Sequence, residues 1–66
     1  MKDIYSFVAK KNNAIMDCDS YQLNSKDDAY EMAGNLSYIY MDVNIVEIFK
    51  YEHKNFVFIG SVEVKE

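Results

Sequence analysis

Two regions of this chain alternate apolar with polar residues, and a third, lying between them, repeats its apolar positions at helical spacing. The first region runs from Ile4 to Tyr21 and reads as a β-hairpin folded about Asn12-Asn13, two residues that tolerate the positive φ a type I′ turn requires. Pairing outward from that turn sets Lys11 opposite Ala14, Ala9 opposite Met16, Phe7 opposite Cys18 and Tyr5 opposite Ser20. Because side chains alternate with period two, Tyr5, Phe7, Ala9, Ala14, Met16 and Cys18 are then expected on one core face. The other face is mixed: Ser6, Lys10, Asp17 and Asp19 share it with Ile4, Val8, Ile15 and Tyr21.

Ser25, with Asp28 three residues on, has the form of a capping box, and Asp27, Asp28 and Glu31 suit the positive end of a helix dipole. A helix is predicted from about Lys26 to about Met41. Its buried stripe is Ala29, Met32, Ala33, Leu36, Ile39 and Tyr40, with Tyr30 and Tyr38 on a partly exposed flank. Gly34 falls inside it at a cost of about 1 kcal/mol relative to alanine, either tolerated or repaid by a close backbone approach.

Beyond Asp42-Val43-Asn44, the runs Ile45 to Tyr51 and Phe56 to Val64 predict a second hairpin about Glu52-His53-Lys54-Asn55. A loop of two or four residues pairs Tyr51 with Phe56, Phe49 with Phe58 and Ile45 with Val62; a loop of three slips the register by one. The last strand does not alternate cleanly. With Phe56, Phe58, Val62 and Val64 given to the core, Val57 and Ile59 remain, joined by Val46 and Ile48, and with Val8 and Ile15 they are expected to form an exposed apolar patch. The predicted architecture is α+β, a single ββαββ domain over residues 1–66 in which one helix packs on a four-stranded antiparallel sheet.

Composition sharpens this picture. The 66 residues are 50% hydrophobic and 15% aromatic, enough for one small core. A lone cysteine, Cys18, makes no internal disulfide, Met1 leads straight into Lys2-Asp3, and no apolar run approaches the ~20 residues of a membrane span. A reduced, cytoplasmic protein without membrane contact is expected. Arg, Pro, Thr and Trp are absent while Lys, Asn, Ile and Tyr abound, a bias of AT-rich genomes such as those of low-GC bacteria, their phages and their plasmids. The net charge of −4 and the absence of Arg argue against direct nucleic-acid binding.

No residue pattern carries chemistry. His53 stands alone in a predicted turn without an assignable nucleophile, and Cys18 is expected as a small core hydrophobe between two aspartates that oppose its ionisation. Asp17-Cys18-Asp19-Ser20 lacks the glycine and the glutamate of a calcium loop. Gly60 marks a bulge or a close packing contact, and Phe56 to Gly60 lacks the basic residue of an aromatic RNA-binding strand. No catalytic, cofactor-binding or metal-ligating residue is assigned, and the protein is expected not to be an enzyme.

What remains is a protein-binding module that uses an open sheet face or strand edge, with Val8, Ile15, Asp17, Asp19, Tyr21, Val46, Ile48, Val57 and Ile59 as the expected contact residues. Its partner is then a host factor or its own copy. One version is a phage or mobile-element accessory protein whose acidic residues compete for the basic groove of a nucleic-acid-handling enzyme and inhibit it. The alternative is a structural homodimer held through Val46, Ile48, Val57 and Ile59.

Overall fold

A computed structural model describes residues 2–64. The chain runs β1 (Asp3–Lys11), β2 (Ala14–Leu23), α1 (Lys26–Ile39), β3 (Ile45–Glu52) and β4 (Asn55–Glu63). The strands form one antiparallel sheet in the order β2-β1-β3-β4, so the ββαββ fold expected from the sequence is the fold observed. Both hairpins close through two residues at positive φ, Asn12-Asn13 and His53-Lys54, which settles the second loop at two residues.

The faces differ from expectation because each outer strand carries a bulge. In the first hairpin Lys11 lies opposite Ala14 and Lys10 opposite Ile15, but then Ala9 lies opposite Asp17, leaving Met16 as the extra residue. From there on Val8 pairs with Cys18, Phe7 with Asp19 and Tyr5 with Tyr21. One inserted residue reverses every later side chain. Cys18 is therefore exposed and Met16 half-exposed, while Asp17, Asp19 and Tyr21 turn to the helix side.

The second hairpin behaves alike. Tyr51 with Phe56 and Phe49 with Phe58 pair as predicted, but Ile59 is then the extra residue; Ile48 meets Gly60, Val46 meets Val62, and Ile45 meets Glu63 instead of Val62. Pairing with β1 decides which side is the core. Phe7 sits beside Ile48 and Ala9 beside Val46, and all four are fully buried. Tyr5, Ala29, Ala33, Leu36 and Val43 complete the core, with Ile59, Val62 and Val64 packed against it.

Ser25 caps α1 by accepting a hydrogen bond from the Asp28 amide at 3.2 Å. Small Ala29 and Ala33 let the helix approach the sheet, chiefly over β3 and β4. The helix stops at Ile39, where Tyr40 turns extended and its amide bonds the Leu36 carbonyl. Ile39 thus leaves the predicted stripe and is exposed, as are Tyr38 and Met41. Asp42, at φ 62°, reverses the chain, Val43 plugs the end of the core, and Asn44 joins the Lys10 carbonyl to the Val64 amide.

The two glycines do different work. Tyr30 lies across Gly60 and donates its hydroxyl to the Ile59 carbonyl at 3.1 Å, and a Cβ on Gly60 would stand 1.8 Å from that hydroxyl oxygen. Gly34 has nothing within 4 Å of such a Cβ. Gly60→Ala is expected to evict the tyrosine ring and cost about 1–3 kcal/mol, whereas Gly34→Ala is expected to stabilise by about 0.4–1 kcal/mol. Urea titrations of the two variants check both signs.

Candidate protein-binding face

The helix covers one face of the sheet; the other is open. Register places its side chains in rows across β2, β1, β3 and β4. Ser20, Ser6, Phe49 and Phe58 form one row, and Cys18, Val8, Glu47 and Ser61 the next. Toward the His53-Lys54 turn, Tyr51 pairs with Phe56 and Ile4 with Gln22; toward the other end, Ile15, Lys10, Ile45 and Glu63 align. The Phe49 and Phe58 rings meet edge to face at 5.5 Å, and Tyr51 and Phe56 meet at 5.3 Å. These separations favour aromatic pairing.

Four rings thus make one patch, with Tyr51, Phe56 and Phe58 respectively 41%, 51% and 56% exposed. Ser6 beside them is buried and hydrogen-bonded: Ser20 donates to its hydroxyl at 3.2 Å, and Ser6 donates to the Asp19 carbonyl at 3.5 Å. Lys10 and Glu47, the charged pair of the face, neutralise one another at 2.9 Å.

Several expected contact residues lie elsewhere. Val8 and Ile15 are on the open face as predicted. Val46 and Ile48 are not, being fully buried under the helix, and Ile59 is the bulged residue packed against the same core. Val57 lies opposite Lys50 on the helix side of the sheet, near its margin, and Asp17, Asp19 and Tyr21 lie on that side of β2. An aromatic quartet, Phe49, Tyr51, Phe56 and Phe58, takes the place of Val46, Ile48, Val57 and Ile59, and two of its members, Phe56 and Phe58, are ones that strict alternation gives to the core. Glu47 was the available signal: a carboxylate midway along a central strand marks the solvent side, and Phe49 and Tyr51 share its parity, whereas Lys50 near the strand end can snorkel outward.

The charge of the molecule is segregated. Asp3, Asp17, Asp19 and Glu52 lie at the margins of the helix side, Asp27, Asp28 and Glu31 on the helix, and Asp42 just after it; Lys11, Lys26 and Lys50 are the cations among them. Eight carboxylates against three lysines leave that side at about −5, while Lys10, Glu47 and Glu63 leave the open face near neutral.

Comparison of the chain with protein-family models, with curated proteins and with solved structures gave no match. Among the described residues no helix is long and apolar enough to cross a membrane.

On the helix side Tyr40 reaches past the end of α1 and donates its hydroxyl to the Asp19 carboxylate. Burial, that hydrogen bond and the negative charges of Asp19 and Asp17 hold the phenol above the ordinary tyrosine value. The folded chain therefore keeps a proton that the unfolded chain releases near pH 10, so this contribution to stability is complete below about pH 10 and falls as pH rises beyond it. Tyr40→Phe is expected to cost about 1 kcal/mol at neutral pH. It should also flatten the decline in melting temperature between about pH 9 and about pH 11, measured by circular dichroism against the parent.

Proposed function

We propose that this protein is a non-enzymatic protein-binding module of the cytoplasm whose docking surface is the open aromatic face of its sheet. The observation that supports this reading is the patch of Phe49, Tyr51, Phe56 and Phe58, contiguous, uncovered and free of unpaired charge. Exposed apolar surface of this kind marks interaction sites, and aromatic residues are enriched at the centres of interfaces. The two groups best suited to catalysis are far apart in the fold: Cys18 lies on edge strand β2, whereas His53 lies in the turn joining β3 and β4. His53 is therefore not placed to serve as a base for that thiol.

The inhibitory version, in which the acidic residues compete for a basic groove of a host protein, draws its support from the helix side and not from the open face. There Asp17 and Asp19 stand with Asp27, Asp28 and Glu31. The two surfaces lie on opposite sides of the sheet, so a module built this way has room for both contacts.

The experiment compares tagged parent protein with Phe58→Lys, each expressed in the presence of untagged chain and recovered under low salt. Phe58 is more than half exposed on the uncovered face, so the variant should fold. The expected result is a protein retained by the parent, its own untagged copy included, and lost from the folded variant. Identical retention by both would remove the open face as the docking surface.

A further inference from the structure

We infer that the occupant of the open face is a second copy of this chain, giving a four-layer sandwich of helix, sheet, sheet and helix. The inference rests on the reading of that face as a docking surface and names what docks. Three features of the molecule support it, namely area, neutrality and the side on which the charge lies.

An aromatic side chain buries 150–250 Å², so the exposed fractions of Tyr51, Phe56 and Phe58 leave roughly 100 Å² each in water, and Ile4 and Ile15 raise the apolar area to about 450 Å². A standard interface of about 800 Å² per partner, slightly over half of it non-polar, has about this much apolar surface on each side. One face is thus large enough to hold a dimer.

Sheets pack face to face about 10 Å apart, and a helix adds about the same distance on each outer side. The acidic helices of such a dimer, with Asp27, Asp28 and Glu31, would stand about 30 Å apart, several Debye lengths at physiological salt, and the strand carboxylates would point away from the shared face. Any arrangement that brought the helix sides together would oppose about −5 to about −5. The face itself brings the Lys10–Glu47 pair already neutralised, and its remaining carboxylate, Glu63, sits exposed near the end of edge strand β4, at the rim of the face. Single-stranded nucleic acid, the other ligand that stacks on sheet aromatics, would carry its phosphates toward a chain of net charge −4.

Cys18 supplies a native reporter. Its thiol is exposed on the open face in the row next to that of Phe49 and Phe58. The experiment measures molar mass by light scattering from micromolar to submillimolar protein, together with the rate at which Cys18 reacts with a thiol reagent. The parent should approach twice 7.7 kDa, with its thiol reacting several-fold more slowly at the high end of the range. Phe58→Lys should stay at 7.7 kDa with a concentration-independent thiol rate and an unchanged far-ultraviolet spectrum. Should that variant fail to fold, Phe56→Lys replaces it on the same face.

Tyr38→Lys, at the 91% exposed tip of the helix, should leave the dimer intact. A monomeric parent, a dimer that survives Phe58→Lys, or one lost only in Tyr38→Lys would overturn the inference. A monomeric parent that still loses a different bound protein on Phe58→Lys would leave the open face as a docking surface with another occupant. A monomeric parent whose retained proteins are unaffected would remove both.

Discussion

The pairing of β1 with β3 is the constraint from which the rest of the molecule follows. It joins the two hairpins at the centre of the sheet and puts Phe7 beside Ile48 and Ala9 beside Val46. With those four buried, the parity of both central strands is set: Tyr5, Phe7, Ala9, Val46 and Ile48 must face the helix, and Val8, Lys10, Glu47 and Phe49 must face away. Neither hairpin alone makes that choice, because each carries apolar residues on both of its faces. The helix then completes the core with two alanines and a leucine, and Gly60 clears the ground on which Tyr30 lands.

Local signals in the chain were sufficient for the elements and insufficient for the faces. Asn12-Asn13, Ser25 and the Ala29, Ala33, Leu36 spacing each act within a few residues, and each has its predicted effect. Bulges are another matter. Met16 carries no residue-type signature, since a bulged position of this kind needs neither glycine nor any particular side chain, and at Ile59 the signal is the neighbouring Gly60, which marks a bulge or close contact without fixing which residue is extra. Their existence is decided by the neighbour across the strand: β2 must supply Tyr21 to pack on Phe7 at 6.0 Å, and β4 must turn Gly60, not Ile59, toward Tyr30. Strict alternation therefore places Cys18 in the core and Asp19 out of it, the reverse of their positions in the fold. The same assumption places Val46 and Ile48 at the surface and Phe56 and Phe58 in the core, whereas the fold has them the other way round.

The acidic residues become intelligible once the faces are correct. On an outward-facing strand Asp17 and Asp19 would be solubilising charges and no more. On the helix side Asp19 receives the Tyr40 hydroxyl and ties the end of α1 to the edge strand farthest from the helix. Lys11 with Asp42 makes a further tie from β1 to the segment after α1 at 2.6 Å, whereas Lys50 pairs with Glu52 of its own strand at 3.0 Å. Exposed pairs of this kind contribute about 0–1 kcal/mol each. Their larger effect is on the distribution of charge, which they leave weighted to one side of the molecule.

The aromatic quartet has a structural role as well as an exposed one, and the two need separating. His53 and Lys54 both adopt positive φ without being glycine or asparagine, a conformation that costs such residues about 1–2 kcal/mol apiece. Phe49 with Phe58 and Tyr51 with Phe56 flank that turn, and each aromatic pair returns about 0.5–1.5 kcal/mol. Cross-strand stapling therefore accounts for two aromatic pairs, one edge to face and one tilted, beside an unfavourable turn. It does not account for the outward faces of Tyr51, Phe56 and Phe58, which contribute nothing to the staple and stand in water at a cost of about 25 cal/mol for each Å² left uncovered. A β-branched or polar pair on the same positions would serve the hairpin without that exposure. The uncovered ring area is thus surplus to folding, and it lies on the side of the sheet whose net charge is close to zero, a combination that favours association.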